Sequence, residues 1–122
     1  MTALVVAATL GAGAVGALLR YLVARAFATR GPFPWAVLVV NVVGSAIGGV
    51  VVGLAERGDV AADIRFIIVS GLCAGLTTFS TWSVETVQLV LAGRARVAIV
   101  SVAANLVLGI GAALVGYLLV SA

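Results

Sequence analysis

The chain alternates between long apolar runs and short clusters of charge and turn formers. Uncharged stretches extend from Met1 to Leu19, Phe33 to Ala55, Phe66 to Val84 and Val97 to Ala122. Each is close to or beyond the ~20 residues that carry a helix across a hydrocarbon core. The pattern predicts one all-α membrane domain over residues 1–122, with four transmembrane helices at about 2–27, 34–55, 63–92 and 97–120. The links are short: Arg30-Gly31-Pro32-Phe33-Pro34, then a turn opened by Glu56-Arg57-Gly58-Asp59, then Gly93-Arg94-Ala95-Arg96. Links of that length make consecutive helices antiparallel neighbours. Pro32 and Pro34 cannot continue the first helix and suit the start of the second.

The third run departs from the pattern. From Phe66 to Gly93 it has 28 residues, about 42 Å as continuous helix, too long for a ~30 Å core without strong tilt or an interruption. Within it lies GLCAGLTTFSTWSVE, residues 71 to 85, where glycines and hydroxyl residues weaken a helix. The natural interruption is the Gly71 to Ser80 region, with a break near 73–78. Unwound backbone at that depth is tolerated where it is buried in protein or lines a cavity, and its freed carbonyls can coordinate a cation. Thr77, Thr78, Ser80, Thr81 and Ser83 supply hydroxyls, and Phe79 and Trp82, three apart, share a helix face. Glu85 is the one carboxylate within a membrane stretch; such residues mark pathways, although its place near the helix end also lets it reach water.

Two more polar residues interrupt the apolar pattern. Asn41 stands seven residues beyond Pro34, with Gly44, Ser45 and Gly48 on its own face. Its carboxamide can join helices, or can donate to an anion while its oxygen is held elsewhere. Arg20 lies about 27 Å beyond Thr2 along a helix, where it either snorkels to the far interface or forms a cationic vestibule for anions. Gly44, Gly48, Gly49 and Gly53 make two overlapping G-x-x-x-G steps, and Gly109, Gly111 and Gly116 recur in the last helix. Such steps serve close packing within one chain or between subunits.

Composition narrows the function. With 64% hydrophobic and 9% charged residues, no water-soluble domain is left room, and any chemistry belongs to the bilayer or its two faces. Histidine is absent, so no Ser/His/Asp arrangement exists, and no carboxylate pair or cysteine cluster is present to hold a catalytic metal. The chain does not read as an enzyme. Cys73, the single cysteine, reads as a small core residue. The net charge of +3 comes from scattered arginines, without a basic stripe for nucleic acid. Arg25, Arg30, Arg94 and Arg96 fall on one side of the membrane; Arg57 and Arg65 fall on the other with both termini, Glu56, Asp59 and Asp63. That bias is weak, as in a protein that inserts in both orientations.

GAGAVGALLRY in the first helix, NVVGSAIGG in the second and GLCAGLTTFSTWSVE in the third closely resemble the bacterial fluoride ion channel family, the CrcB or Fluc proteins. The length and four-helix layout match throughout. The resemblance implies an antiparallel, dual-topology homodimer in the plasma membrane, or a heterodimer with a sister subunit, surrounded by lipid. It implies two fluoride-selective pores that relieve fluoride toxicity by passive export. It also implies a structural sodium ion at the dimer centre held by backbone carbonyls, at positions matching Ala74, where relatives usually carry Gly, and Thr77. The pore aromatics carry over to Phe79 and Trp82, where the family has two Phe; the pore asparagine to Asn41; the first-helix arginine to Arg20. The polar track carries over to Ser80, Thr81 and Glu85, and for its last-helix part the region offers Ser101 and Asn105. Two rival readings are a small proton-coupled multidrug exporter, which depends on a first-helix glutamate that this chain lacks, and a structural subunit of a larger membrane complex.

Overall fold

The computed structural model describes residues 1–121. Four helical spans, each long and apolar enough to cross a membrane, cover Ala3–Ala26, Trp35–Glu56, Ala62–Leu91 and Ala95–Ser121. The first span is α1 (Ala3–Ala26), opened by Thr2, whose hydroxyl accepts from Val5 N at 3.2 Å. The second is α2 (Trp35–Glu56), which follows Pro34 directly. The fourth is α6 (Ala95–Ser121).

The third span is assembled from pieces: α3 (Ala62–Phe66), a seven-residue π-helical stretch Ile67–Cys73, α4 (Ala74–Leu76), and α5 (Ser80–Leu91). Between α4 and α5, Thr77 to Phe79 lie outside regular helix, and Thr77 is extended at φ −79°, ψ 158°. The non-helical residues are therefore 77–79, at the late edge of the window expected from the glycines. Cys73 to Leu76 stay helical, and their one glycine, Gly75, meets a neighbouring helix instead of opening a gap. Gly75 lies directly against the backbone of Gly13, and Gly16 packs against Leu72 O and, at 2.8 Å from a notional Cβ, Leu76 N.

Such close approaches define the packing. The α1 helix lies along the π-helical stretch and α4, through Gly13, Gly16, Gly71 and Gly75. The α2 helix lies along α6, where Gly49 meets the backbone of Ala113, Gly53 meets Val120 and Tyr117, and Gly116 meets Ala46 O and Val50. These glycines therefore serve contacts within the chain. Gly48 and Gly111 face open space. With no hydrophobic drive between helices in lipid, backbone approach of this kind supplies the dispersion contacts that hold the bundle.

A thin core of Val5, Val37, Leu38, Val40, Val51, Leu76, Leu89 and Ala98 is buried. Large apolar side chains such as Leu4, Leu10, Ile99 and Leu119 point outward, the inverse of a water-soluble bundle and the arrangement lipid requires. Cys73 is a buried free thiol.

Candidate functional site

The residues around Thr77 to Phe79 explain why helix fails there. Thr77 Oγ1 donates to Cys73 O at 2.9 Å, the same carbonyl that its own N–H reaches at 2.9 Å. The next N–H, of Thr78, would continue the helix onto Ala74 O; it donates instead to Asn41 Oδ1 at 2.8 Å. Asn41 Nδ2 donates to Thr78 O at 3.2 Å, so one side chain of α2 takes over both backbone groups of Thr78. The Thr78 hydroxyl then accepts from Thr81 N at 3.1 Å and opens α5. Two adjacent threonines thus do opposite things: the first closes a helix by bonding back, and the second caps the helix that follows.

Asn41 is itself held. Its Nδ2 also donates to Asn105 Oδ1 at 3.0 Å, and Asn105 Nδ2 donates to Ser101 O at 2.8 Å. Asn105 and Ser101 are buried, and Ser101 Oγ has no partner. Both donor hydrogens of Asn41 are consequently engaged by the chain, and its role in the fold is to join α2, the interruption and α6. The expectation that its N–H₂ group stands free for an anion does not match this geometry, because Thr78 O and Asn105 Oδ1 accept from it.

Arg20 turns inward. Its Nε donates to Gly75 O at 3.3 Å, just before the interruption, so the side chain is anchored to α4 and does not merely reach for the interface. It borders a cavity of about 300 Å³ with Val40, Thr78, Thr81 and Glu85. A second cavity of about 260 Å³ is lined by Asn41, Ser45, Thr77, Thr78, Phe79 and Trp82. Thr78 borders both. Of the expected site residues, Arg20, Thr81 and Glu85 line the first cavity and Asn41, Thr77, Phe79 and Trp82 the second, while Ser80 and Ala74 line neither.

Phe79 and Trp82 stack edge to face, with centroids 5.6 Å apart and planes at 75°. Phe79 is 76% exposed, so its ring protrudes from the single chain, and Ala74 and Ser80 are exposed as well. Trp82 Nε1 is buried without a partner. Ser80 Oγ lies 3.5 Å from Thr78 Oγ1. Among the described residues no donor reaches the carbonyl of Ala74 or of Thr77, and no group of three or more His, Cys, Asp or Glu side chains could hold a metal. Both carbonyls are thus hard neutral oxygens left without a donor in the single chain.

The family described as "CrcB-like protein, Camphor Resistance (CrcB)" matches residues 6–117. The chain belongs to the CrcB family. Similar proteins include the fluoride-specific ion channel FluC of Renibacterium salmoninarum, 42% identical over 113 residues that cover 86% of this chain and 90% of that protein. The fluoride-specific ion channel FluC 1 of Thermobifida fusca is 44% identical over 118 residues, covering 95% of this chain and 92% of that one. The FluC of Nitrobacter winogradskyi is 40% identical over 107 residues, 85% of each chain. With four spans able to cross a membrane, this CrcB protein is a multi-pass membrane protein.

Two residues carry more of the site than their place in the sequence signals. Thr78 appears in the sequence as one hydroxyl among five, yet it carries the join between the two cavities and caps α5. Asn105 is the second lone carboxamide in an apolar helix, and that isolation is the signal that a partner such as Asn41 exists across the bundle.

Proposed function

We propose that the chain is a fluoride-selective ion channel of the plasma membrane, a passive conductor and not an enzyme. What supports the reading, beyond the names of its relatives, is one observation: Asn41 takes both backbone groups of Thr78 and so holds the third span open between two cavities. The interruption acts as a broken membrane helix whose hydroxyls and ring edges border an ion path. Fluoride is strongly hydrated, and a narrow path must replace its lost water with donors. Ring edges carry partial positive charge, and Phe79 and Trp82 line one cavity with Thr78, whose hydroxyl lies 3.5 Å from that of Ser80. None of these binds with a full charge, which favours passage over trapping. Arg20 stands where it draws anions toward the cavity it shares with Thr81 and Glu85.

The pore is completed by a second copy in an antiparallel, dual-topology dimer, or by a sister subunit of opposite orientation. The outward ring of Phe79 and the exposed Ala74 are what such a partner would cover. The carbonyls of Ala74 and Thr77 are the groups that would hold a sodium ion between two protomers, where the ion would supply a fixed positive charge and a cross-link. An exporter driven by protons finds no support, since α1 carries neither Asp nor Glu.

The test is purified protein in liposomes loaded with fluoride or with chloride, followed by ion-selective electrodes after a counter-ion path is opened. Rapid fluoride release with negligible chloride release is expected. Phe79→Ile should reduce fluoride release to near background while assembly is retained, because the ring edge is lost at modest change in volume. A wild-type protein that releases neither ion, or both alike, would sink the reading.

A further inference from the structure

The polar positions of α5 do not end at Glu85. Thr81, Glu85 and Gln88 succeed one another at spacings of four and three, which keeps them on one helix face, and Thr78, whose hydroxyl accepts from Thr81 N, stands just ahead of them. The cavities beside that face share walls. Thr78 borders the cavity at Asn41 and the cavity at Arg20. Glu85 borders the cavity at Arg20 and a third, of about 250 Å³, whose other lining residues are Pro32, Gln88, Leu89, Ala92 and Arg94. Pro32 belongs to the α1–α2 link and Arg94 to the α5–α6 link, so this third cavity lies at the membrane edge where two links meet.

Arg94 is put there by the backbone. Gly93 at φ 79° ends α5; Gly93 N donates to Val90 O at 3.1 Å and Arg94 N to Leu89 O at 2.8 Å. Bonds of these two spans close a helix in a Schellman motif, and only a residue tolerant of positive φ serves at its centre. Arg94 is exposed, and the one ion pair among the described residues joins Arg57 to Asp59. Its guanidinium is thus uncommitted. Glu85, by contrast, is a carboxylate set along an anion's route, and it would repel that anion unless positive charge lay on either side. Arg20 borders the cavity inward of Glu85 and Arg94 the cavity outward of it.

From this placement we infer that Gln88 and Arg94 form the outer mouth of the fluoride path. The Arg94 guanidinium collects the anion from solution, and the Gln88 amide is the first neutral donor that receives it. The inference rests on the channel reading above and adds the residues through which the ion enters or leaves. A guanidinium at a membrane edge binds a lipid phosphate by the same chemistry, so the test must separate the two.

The full chain is reconstituted in vesicles of phosphatidylcholine alone and in vesicles containing phosphatidylglycerol, and initial fluoride release is read at sub-saturating fluoride. Arg94→Gln is expected to slow release roughly three- to tenfold at low ionic strength, with the deficit shrinking as salt approaches ~1 M and the Debye length falls to about 3 Å. The deficit should be the same in both lipids. Arg94→Lys, which keeps the charge, should stay within about twofold of wild type. Arg96→Gln, two residues on and not among the lining residues, should match wild type. Gln88→Leu should slow release at every salt concentration. The inference is overturned if Arg94→Gln matches wild type, if its deficit ignores salt, or if the deficit occurs only with phosphatidylglycerol, which would make Arg94 a lipid anchor. Wild-type protein that carries no fluoride would overturn the channel reading itself, a result distinct from all of these.

Discussion

Asn41 makes three hydrogen bonds, two to Thr78 and one to Asn105. In lipid no water waits to replace them. Asn41→Leu would strand the N–H and C=O of Thr78 together with Asn105 Oδ1, at about 1–3 kcal/mol for each group left unmade. The expected outcome is a clear fall in unfolding temperature in detergent and loss of most fluoride release. Asn105→Ala leaves Thr78 tied to Asn41 and should cost distinctly less on both measures. Equal damage from the two substitutions would show that the bond between the carboxamides, and not the hold on Thr78, is what matters. The sequence pointed to Asn41 as a polar residue on the small-residue face, and Gly44 on that face does lie against the Thr77 side chain. It could not reveal that both donor hydrogens are already spent, since the acceptors lie 37 and 64 residues away.

At the scale of elements, close helix pairs depend on which glycines actually touch a neighbour. Gly49 faces the backbone of Ala113, which cannot swing aside as a flexible side chain can, whereas Gly111 has nothing within 4 Å of a notional Cβ. Gly49→Ala is therefore expected to part α2 from α6 and destabilise the protein by about 1–3 kcal/mol, the usual range for overpacking. Gly111→Ala, which also relieves the entropic penalty of a helical glycine, should be neutral or slightly stabilising. Thermal unfolding of both variants in one detergent checks the pair, and a tolerated Gly49→Ala would show that the α2–α6 contact is looser than this geometry. Spacing alone does not tell the two kinds of glycine apart. The G-x-x-x-G steps of α2 contain both, for Gly44, Gly49 and Gly53 are occupied by neighbours while Gly48 stands open.

For the whole molecule, the proposed dual topology has a direct consequence. Four arginines at one end against two at the other are a weak bias, and under the proposal copies of the chain would insert both ways. A cysteine placed after the last residue, in a Cys73→Ser background, should be labelled by an impermeant reagent from both sides of intact membranes, in comparable amounts. Labelling from one side alone would remove the dual-topology proposal and leave a heterodimer with an oppositely oriented sister.

What the sequence determined by itself is whatever local composition controls. Runs of about 20 apolar residues have no stable fate but helix across a bilayer, so the four spans were legible from one end of the chain to the other. The family motifs were legible for the same reason, as contiguous strings. Tertiary structure decided how the polar residues are spent. Whether Thr78 continues a helix or leaves it depends on an asparagine in another helix; whether Arg20 snorkels or turns inward depends on a free carbonyl at Gly75. In a low-dielectric interior each donor goes to the acceptor that packing brings within reach, and packing is a property of the whole bundle.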